Sequence, residues 1–299
     1  MHPTLYELNG LALHSWGLMV TLAFLGAFLV VHLRAPRVGI DPDRLVPMYM
    51  LLVAAGLAGS RVLHFVFAQP ADLWADPLIL FNPSRGGFAF YGGVIGGVGA
   101  GALFARLRGI PVWKLADLGA PTIMLGLAIG RVGCFFAGCC HGAACPAAVE
   151  STLLRFDGGE VLAVAGFPWV ALEFNGLGVG RIVDRPVYPT QLFEITTGLG
   201  LFAALSAVWA RHRRWDGQVL ALMLVGYALA RTFNETFRGD TVRGLYALGP
   251  VTVSTSQIVA AFMIGLAGVI FVTRRGAGIG PELPLRPRPE DDAPMPPGT

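Results

Sequence analysis

The sequence predicts an all-α membrane protein of about seven transmembrane helices, with a small extracytoplasmic head domain between spans four and five. Three observations lead there. The 299 residues are 54% hydrophobic and only 14% charged, with a mean hydropathy of +0.62, whereas soluble domains carry about 25% charged residues. Apolar stretches near the length a helix needs to cross a bilayer recur along the chain. Arginine and lysine collect in alternate loops, as they do where a polytopic chain keeps them on the cytoplasmic side.

The spans read as Trp16–Leu33, Met48–Phe67 (just after Pro47), Phe88–Leu107, Leu115–Cys139, Pro189–Ala210, Gln218–Phe237 and Ser254–Thr273. Residues 1–139 thus hold helices one to four, 140–188 the head, and 189–275 helices five to seven. Residues 276–299, rich in proline and charge, read as a disordered cytoplasmic tail. The opening MHPTLYELNG has no basic segment of the secretory-signal kind, so the first apolar segment is expected to be retained. No internal repeat of the transporter kind is visible.

Arg34, Arg37 and Arg44 follow span one; Arg106, Arg108 and Lys114 follow span three; Arg211, Arg213 and Arg214 follow span five; Arg274 and Arg275 follow span seven. The alternate loops are poorer in these residues, and the long loop between His141 and Tyr188 mixes both signs. The N-terminus is therefore expected outside and the C-terminus in the cytoplasm. Strand character is expected in the head, where Trp169–Phe174 alternates. A net charge of +3 does not indicate nucleic acid as a partner, and no P-loop, Rossmann fingerprint or zinc-finger spacing is present.

With that topology the polar residues within spans fall on one side. Trp16, Arg61, His64, Tyr91, Arg131, Gln191, Glu194, Arg231, Glu235, Arg238 and Gln257 all map to the outer half of the membrane. A single polar site open to the outer leaflet is the simplest cause. Asp117 is the exception, placed to cap the start of its own helix.

The stretch Gly126–Gly142, GLAIGRVGCFFAGCCHG, carries the chemistry. An arginine at the centre of a membrane helix costs about 2.5–3.5 kcal/mol on insertion scales, so Arg131 is expected to face a bundle interior or wet cavity. Cys134 lies three residues on, on the same helix face. Gly126, Gly130, Gly133 and Gly138 would let another backbone or a ligand approach closely. The plainer reading is a glycine-rich packing seam with a snorkelling arginine. Arg61, Arg131 and Arg231 make the expected site cationic, and guanidinium matches phosphate as a bidentate fork. Arg231, Glu235 and Arg238 read as a stripe on one helix face, with a structural ion pair as the plainer alternative. All four cysteines fall in Cys134–Cys145, as Cys-x4-Cys-Cys-His-x3-Cys. This is not a standard zinc spacing. Small-residue packing, a disulfide and a metal site remain open for it, in that order.

These motifs resemble those of the prolipoprotein diacylglyceryl transferase family. Gly130, Arg131, Gly133, Phe135 and Gly142 are similar to its Gly-Arg-x-Gly-Asn-Phe signature and the Asn, Glu and Gly that follow it, with Cys134 in place of Asn and Cys139 in place of Glu. Trp16-Gly17-Leu18-Met19 is similar to the family's opening Trp-Tyr-Gly-Leu-Met. Phe90-Tyr91-Gly92-Gly93 resembles Phe-His-Gly-Gly, and Tyr188-Pro189-Thr190-Gln191-Leu192-Phe193-Glu194 resembles His-Pro-Ser-Gln-Leu-Tyr-Glu. Arg231-x3-Glu235-x-Phe237-Arg238 matches Arg-x3-Glu-Phe-Phe-Arg, and Gln257 resembles the glutamine opening the last helix.

The resemblance implies a multi-pass enzyme of the bacterial inner membrane that moves the diacylglyceryl group of phosphatidylglycerol onto the lipobox cysteine of a prolipoprotein. It implies no metal and no organic cofactor. Tyr91, Arg131, Arg231 and Glu235 would be catalytic. Arg61, Gly92, Gly93, Gly133, Cys134, Cys139, Gln191, Glu194 and Arg238 would bind substrate. Tyr91 and Tyr188 stand where histidines would, and an ordinary tyrosine, with a pKa of about 10, is a poor base at neutral pH. His64 and His141 are available as substitutes. Two other readings stand beside this one: a non-catalytic lipid-binding or accessory protein of the same descent, and a membrane thiol–disulfide oxidoreductase. The oxidoreductase reading lacks a Cys-x-x-Cys motif and leaves the arginines unused.

Overall fold

The computed structural model describes residues 4–8, 11–82, 87–143, 153–156, 159–163, 170–174, 183–238, 245–248 and 251–280. Each of the seven apolar stretches forms a long helix. In chain order the helices are α1 (Ser15–Arg34), α2 (Leu45–Ala68), the short α3 (Pro70–Ala75), α4 (Phe90–Leu107), α5 (Val112–Ala137), α6 (Thr190–Ala207), α7 (Gln218–Glu235) and α8 (Thr255–Arg274). One π turn, Val208–His212, prolongs α6. Six of the seven long helices are long and apolar enough to cross a membrane. The one outside that set is α7, which ends in Arg231, Thr232, Asn234 and Glu235. Large apolar side chains point outward along the spans, Met50, Phe262 and Val272 each about 70% exposed. That is the inverse of a water-soluble bundle and suits a hydrocarbon surround. The chain is a multi-pass membrane protein.

Three small antiparallel sheets join the helices. Strands β1 (Thr4–Leu8) and β2 (Leu11–His14) lead into α1. A four-stranded meander of β3 (Leu153–Phe156), β4 (Gly159–Ala163), β5 (Val170–Phe174) and β6 (Val183–Val187) lies in the chain between α5 and α6. The alternation at Trp169–Phe174 corresponds to β5. A hairpin of β7 (Leu245–Leu248) and β8 (Val251–Ser254) precedes α8. The tail from residue 281, the end of the cysteine stretch at Cys145 and much of the 144–182 loop lie outside the described residues.

The chain divides into two compact units. One is Met1–Val31 with Ala116–Gly280, and the other is His32–Leu115 with Pro281–Thr299. Within the second unit α2 and α4 pack backbone to backbone. A methyl group added at Gly92 would run into Gly59 O, and one at Gly96 into Ala55 O. Small residues at this spacing let membrane helices approach closely, which strengthens dispersion contacts where lipid supplies no hydrophobic drive.

Within the first unit two glycines set the register. Gly198 of α6 faces Ala128 and Met124 O of α5, where an added Cβ would stand 3.1 Å from each. Gly133 of α5 faces Met19 Cβ and Trp16 Cα of α1, at 2.9 and 3.2 Å from such a Cβ. Gly138 has φ +69° and ends α5, with Gly138 N–H donating to Phe135 O and Cys139 N–H to Cys134 O. That is the left-handed helix stop at which glycine carries no Cβ penalty. The four signature glycines differ in what they do. Gly133 is the packed one and Gly138 is the terminator. Gly126 and Gly130 have nothing within 4 Å of where a Cβ would sit.

Two expectations change. Asp117 does not cap its own helix. Its carboxylate accepts from Gly217 N–H at 2.8 Å and Leu220 N–H at 3.0 Å, so it caps the start of α7 from α5. Gln257 closes a capping box with Ser254 at the start of α8. Ser254 Oγ accepts from Gln257 N–H, and Gln257 Oε1 accepts from Ser254 N–H.

Candidate active site

The close approach at Gly198 decides what meets Arg131. Glu194 lies one turn before Gly198 on α6, and Arg131 lies about one turn past Ala128 on α5. Antiparallel packing at Gly198 and Ala128 therefore brings the carboxylate to the guanidinium. Glu194 Oε2 pairs with Arg131 Nε, and Oε1 accepts from Arg231 Nη1 at 3.1 Å and from Asn234 Nδ2. Arg231 Nη2 donates to Ser256 Oγ at 2.9 Å and pairs with Glu235 Oε2 at 3.2 Å. Four helices, α5, α6, α7 and α8, thus meet in one chain of alternating charge: Arg131, Glu194, Arg231, Glu235. Glu194, Asn234 and Glu235 are buried, and both arginines keep a fifth or less of their side-chain surface.

Two cations against two anions leave the cluster close to neutral rather than strongly cationic. The carboxylates fix each guanidinium and offset its desolvation. Donors remain. Among the described residues Arg131 Nη2 donates to no protein group, and Arg131 Nη1 reaches only Cys134 Sγ, at 3.9 Å. Gln191 Oε1 and Asn234 Oδ1 are buried acceptors with no hydrogen bond among the described residues.

The turn after α5 is held by the next motif. Gln191 Nε2 donates to Cys139 O at 2.7 Å, and Thr190 Oγ1 to Cys140 O at 2.8 Å. Gly142 N–H donates to Tyr188 O, Ala143 N–H to Phe237 O, and Tyr188 N–H back to Ala143 O. An added Cβ at Gly142 would meet Phe237 O, Tyr188 and Thr190, so the last signature glycine is there for close approach. Phe237 stacks edge-on with Tyr188, Phe193 and Phe233, which pins the end of α7. Arg238 follows, past the end of α7 at Glu235, and so is not on the helix stripe with Arg231. The thiols of Cys134, Cys139 and Cys140 converge to within 4.8 Å of one another. Hydrogen bonding from Cys134, then from Cys139, pulls the Cys140 thiol down, with Arg131 and Arg238 adding to the effect. Hydrogen bonding to Cys134, then to Cys140, pushes the Cys139 thiol up.

The second unit holds the other motif residues. Arg61 is buried in α2. Its Nε donates to Leu80 O at 3.1 Å, and its Nη2 donates to Ile79 O at 2.9 Å and Asn82 O at 2.7 Å. Its guanidinium also lies 5.1 Å from the Phe65 ring and 5.3 Å from Phe88. In this arrangement Arg61 ties down the short 3₁₀ helix Pro77–Phe81. Tyr91 is 46% exposed in the first turn of α4, edge-on to Phe90. Gly92 is a packing glycine against Gly59, whereas a Cβ added at Gly93 would stand at an ordinary 3.5 Å from Gly56 O. His64 stands against Gly87, whose φ is +114°.

The sequence reading missed Asn234 and Ser256. Asn234 had a signal, since it lies three residues after Arg231 and so on the same face.

Multiple apolar helices with a signature arginine fixed by a buried carboxylate make this a multi-pass membrane protein with a polar site among its helices. A profile of the family described as prolipoprotein diacylglyceryl transferase matches residues 3–273. The chain is 30% identical over 273 residues to a Clostridium perfringens protein named phosphatidylglycerol–prolipoprotein diacylglyceryl transferase 2, covering 90% of this chain and 94% of that one. It is 32% identical over 287 residues to a Chromobacterium violaceum phosphatidylglycerol–prolipoprotein diacylglyceryl transferase, covering 92% and 97%. It is 30% identical over 272 residues to a Legionella pneumophila protein of the same name, covering 89% and 95%. The chain belongs to the prolipoprotein diacylglyceryl transferase family, enzymes of the first step in lipoprotein maturation.

Proposed function

We propose that the protein transfers the diacylglyceryl group of phosphatidylglycerol to the lipobox cysteine of prolipoproteins, in the bacterial inner membrane, with Arg131 and Arg231 holding the donor's phosphate. The observation that carries the clamp is the open edge of Arg131. Its Nε is fixed by Glu194 while Nη2 has no protein acceptor among the described residues. Glu194 and Glu235 orient the two guanidiniums before the lipid arrives, so little reorganisation is needed at the moment of reaction. Arg61, in the other unit, donates to the carbonyls of Ile79, Leu80 and Asn82.

In the reaction the lipobox sulfur, as thiolate, attacks the glyceryl carbon next to the phosphate ester. A carbon–sulfur bond forms and the carbon–oxygen bond breaks. The bonding pair leaves on glycerol phosphate, where the arginines stabilise the growing charge. The thiol proton passes to a base. Tyr91 is the residue in the position the family resemblance gives that role, with His64 and His141 as the histidines nearest the motifs in sequence. Loop charges support an N-terminus outside and a C-terminus in the cytoplasm, with the β3–β6 sheet in the outer head. Seven spans follow if α7, with its polar end in the charge cluster, crosses alongside the other six.

The test is transfer to a lipobox peptide in detergent with phosphatidylglycerol. Lysine keeps the charge but replaces a planar fork with a point donor. Arg131→Lys and Arg231→Lys should each lower transfer by about 10²–10³, while Arg106→Lys, exposed in the last turn of α4, is silent. Wild-type rates in both variants would make the two arginines helix-packing groups only.

A further inference from the structure

The three converging thiols are unexplained by transferase chemistry, in which the nucleophilic sulfur belongs to the substrate. We infer that Cys134, Cys139 and Cys140 form a binding site for one soft, thiolate-preferring cation, zinc or copper(I). The spacing Cys-x4-Cys-Cys does not announce such a site; the turn after α5 creates it. Cys134 sits on the last turn of the helix. Gly138 and Cys140 then take positive φ, +69° and +63°, and Cys140 is the only non-glycine among the described residues to do so. Two reversals in three residues fold the chain back so that all three Sγ atoms lie within 4.8 Å of one another.

The distances suit a shared ion better than a sulfur–sulfur bond. Cys139 and Cys140 Sγ stand 3.8 Å apart, far beyond the about 2.05 Å of a disulfide. Two sulfurs each about 2.3 Å from one metal are about 3.8–4.0 Å apart in tetrahedral or trigonal geometry. The turn is also held from outside, by Gln191 on Cys139 O and Thr190 on Cys140 O, as ligands are when neighbouring groups fix their orientation. Cys134 is buried and Cys140 exposed, so an ion has a route in and retains an open position. Thiolate sulfur selects zinc and copper(I) over the hard cations magnesium and calcium.

The experiment uses the full-length protein in detergent, reduced and stripped with a chelator. It is dialysed against buffered zinc, copper(I) or magnesium, and the bound metal is measured. In parallel each cysteine is alkylated and the labelling mapped by mass spectrometry. About one zinc or copper(I) ion per chain should bind, and labelling of Cys134, Cys139 and Cys140 should fall together at least tenfold. Magnesium should neither bind there nor protect. Cys139→Ser and Cys140→Ser should each weaken binding by about 10–100-fold or more. Labelling of the three thiols unchanged at full occupancy would overturn the inference. So would a Cys139→Ser, Cys140→Ser double variant that holds the metal as tightly as the parent. The protection arm needs no variant, so a substitution that fails to fold does not rescue the idea.

Discussion

Glu194→Gln is the sharpest perturbation of the charge cluster. It keeps the size of a buried α6 side chain whose two oxygens serve Arg131, Arg231 and Asn234. Glutamine offers one acceptor instead of two, and its amide hydrogens would face a guanidinium that has only hydrogens to return. The ion pair with Arg131 is lost, and breaking a buried pair by removing one partner costs about 3–5 kcal/mol. Arg231 retains Glu235, hence the loss falls mainly on Arg131. The assay is unfolding in mixed micelles, run as a double-mutant cycle with Arg131→Met. Arg131→Met alone leaves Glu194 with Arg231, and the double variant should cost clearly less than the sum of the singles. A cost below about 1 kcal/mol for Glu194→Gln, the range of exposed pairs, or strict additivity in the cycle, would show that this contact does not organise the site.

Two further outcomes are expected. Gly92→Leu should separate α2 from α4, because even a Cβ at Gly92 collides with backbone at Gly59; overpacking of this kind costs about 1–3 kcal/mol or more, while Gly99→Leu on the same helix, with nothing within 4 Å, should be tolerated, as thermal stability in detergent will show. Reporter fusions within residues 150–184 should signal outside and fusions after Arg275 inside; a cytoplasmic signal from the long loop would reverse the orientation derived from loop charge.

The helices were legible because composition and apolar runs near twenty residues admit few alternatives. So were the members of the charge cluster. Arg131, Glu194, Arg231 and Glu235 all stood out as ionisable groups inside spans, which are expensive enough to need a reason. Their pairing was not legible, because it depends on the close approach at Gly198, a contact between helices that no local pattern encodes. Arg61 was likewise legible only as an intramembrane arginine, and its hydrogen bonds to the carbonyls of Ile79, Leu80 and Asn82 came from the fold. Asp117 looked like a local cap and serves a helix start 100 residues away. Gln257 is a further case: it counted in sequence with the polar residues of the outer half, and the structure gives it a capping box with Ser254 at the start of α8.

The signature stretch can now be read as a mechanical sequence with chemistry at one position. Gly133 seats α5 against Trp16 and Met19, so the opening motif of the chain and the signature meet by close packing. That seat fixes the rotation of α5, and Gly198 fixes its level against α6; together they leave Arg131 one partner for its Nε, the carboxylate of Glu194. Gly138 then stops the helix, Gln191 and Thr190 hold the turn, and Gly142 passes between Tyr188 and Phe237 with no room for a side chain. Cys134 sits inside this frame as a small buried side chain on the arginine's face, and Cys139 O accepts from Gln191. The frame rests on glycines and backbone acceptors, and the arginine–carboxylate pair is made by neither cysteine.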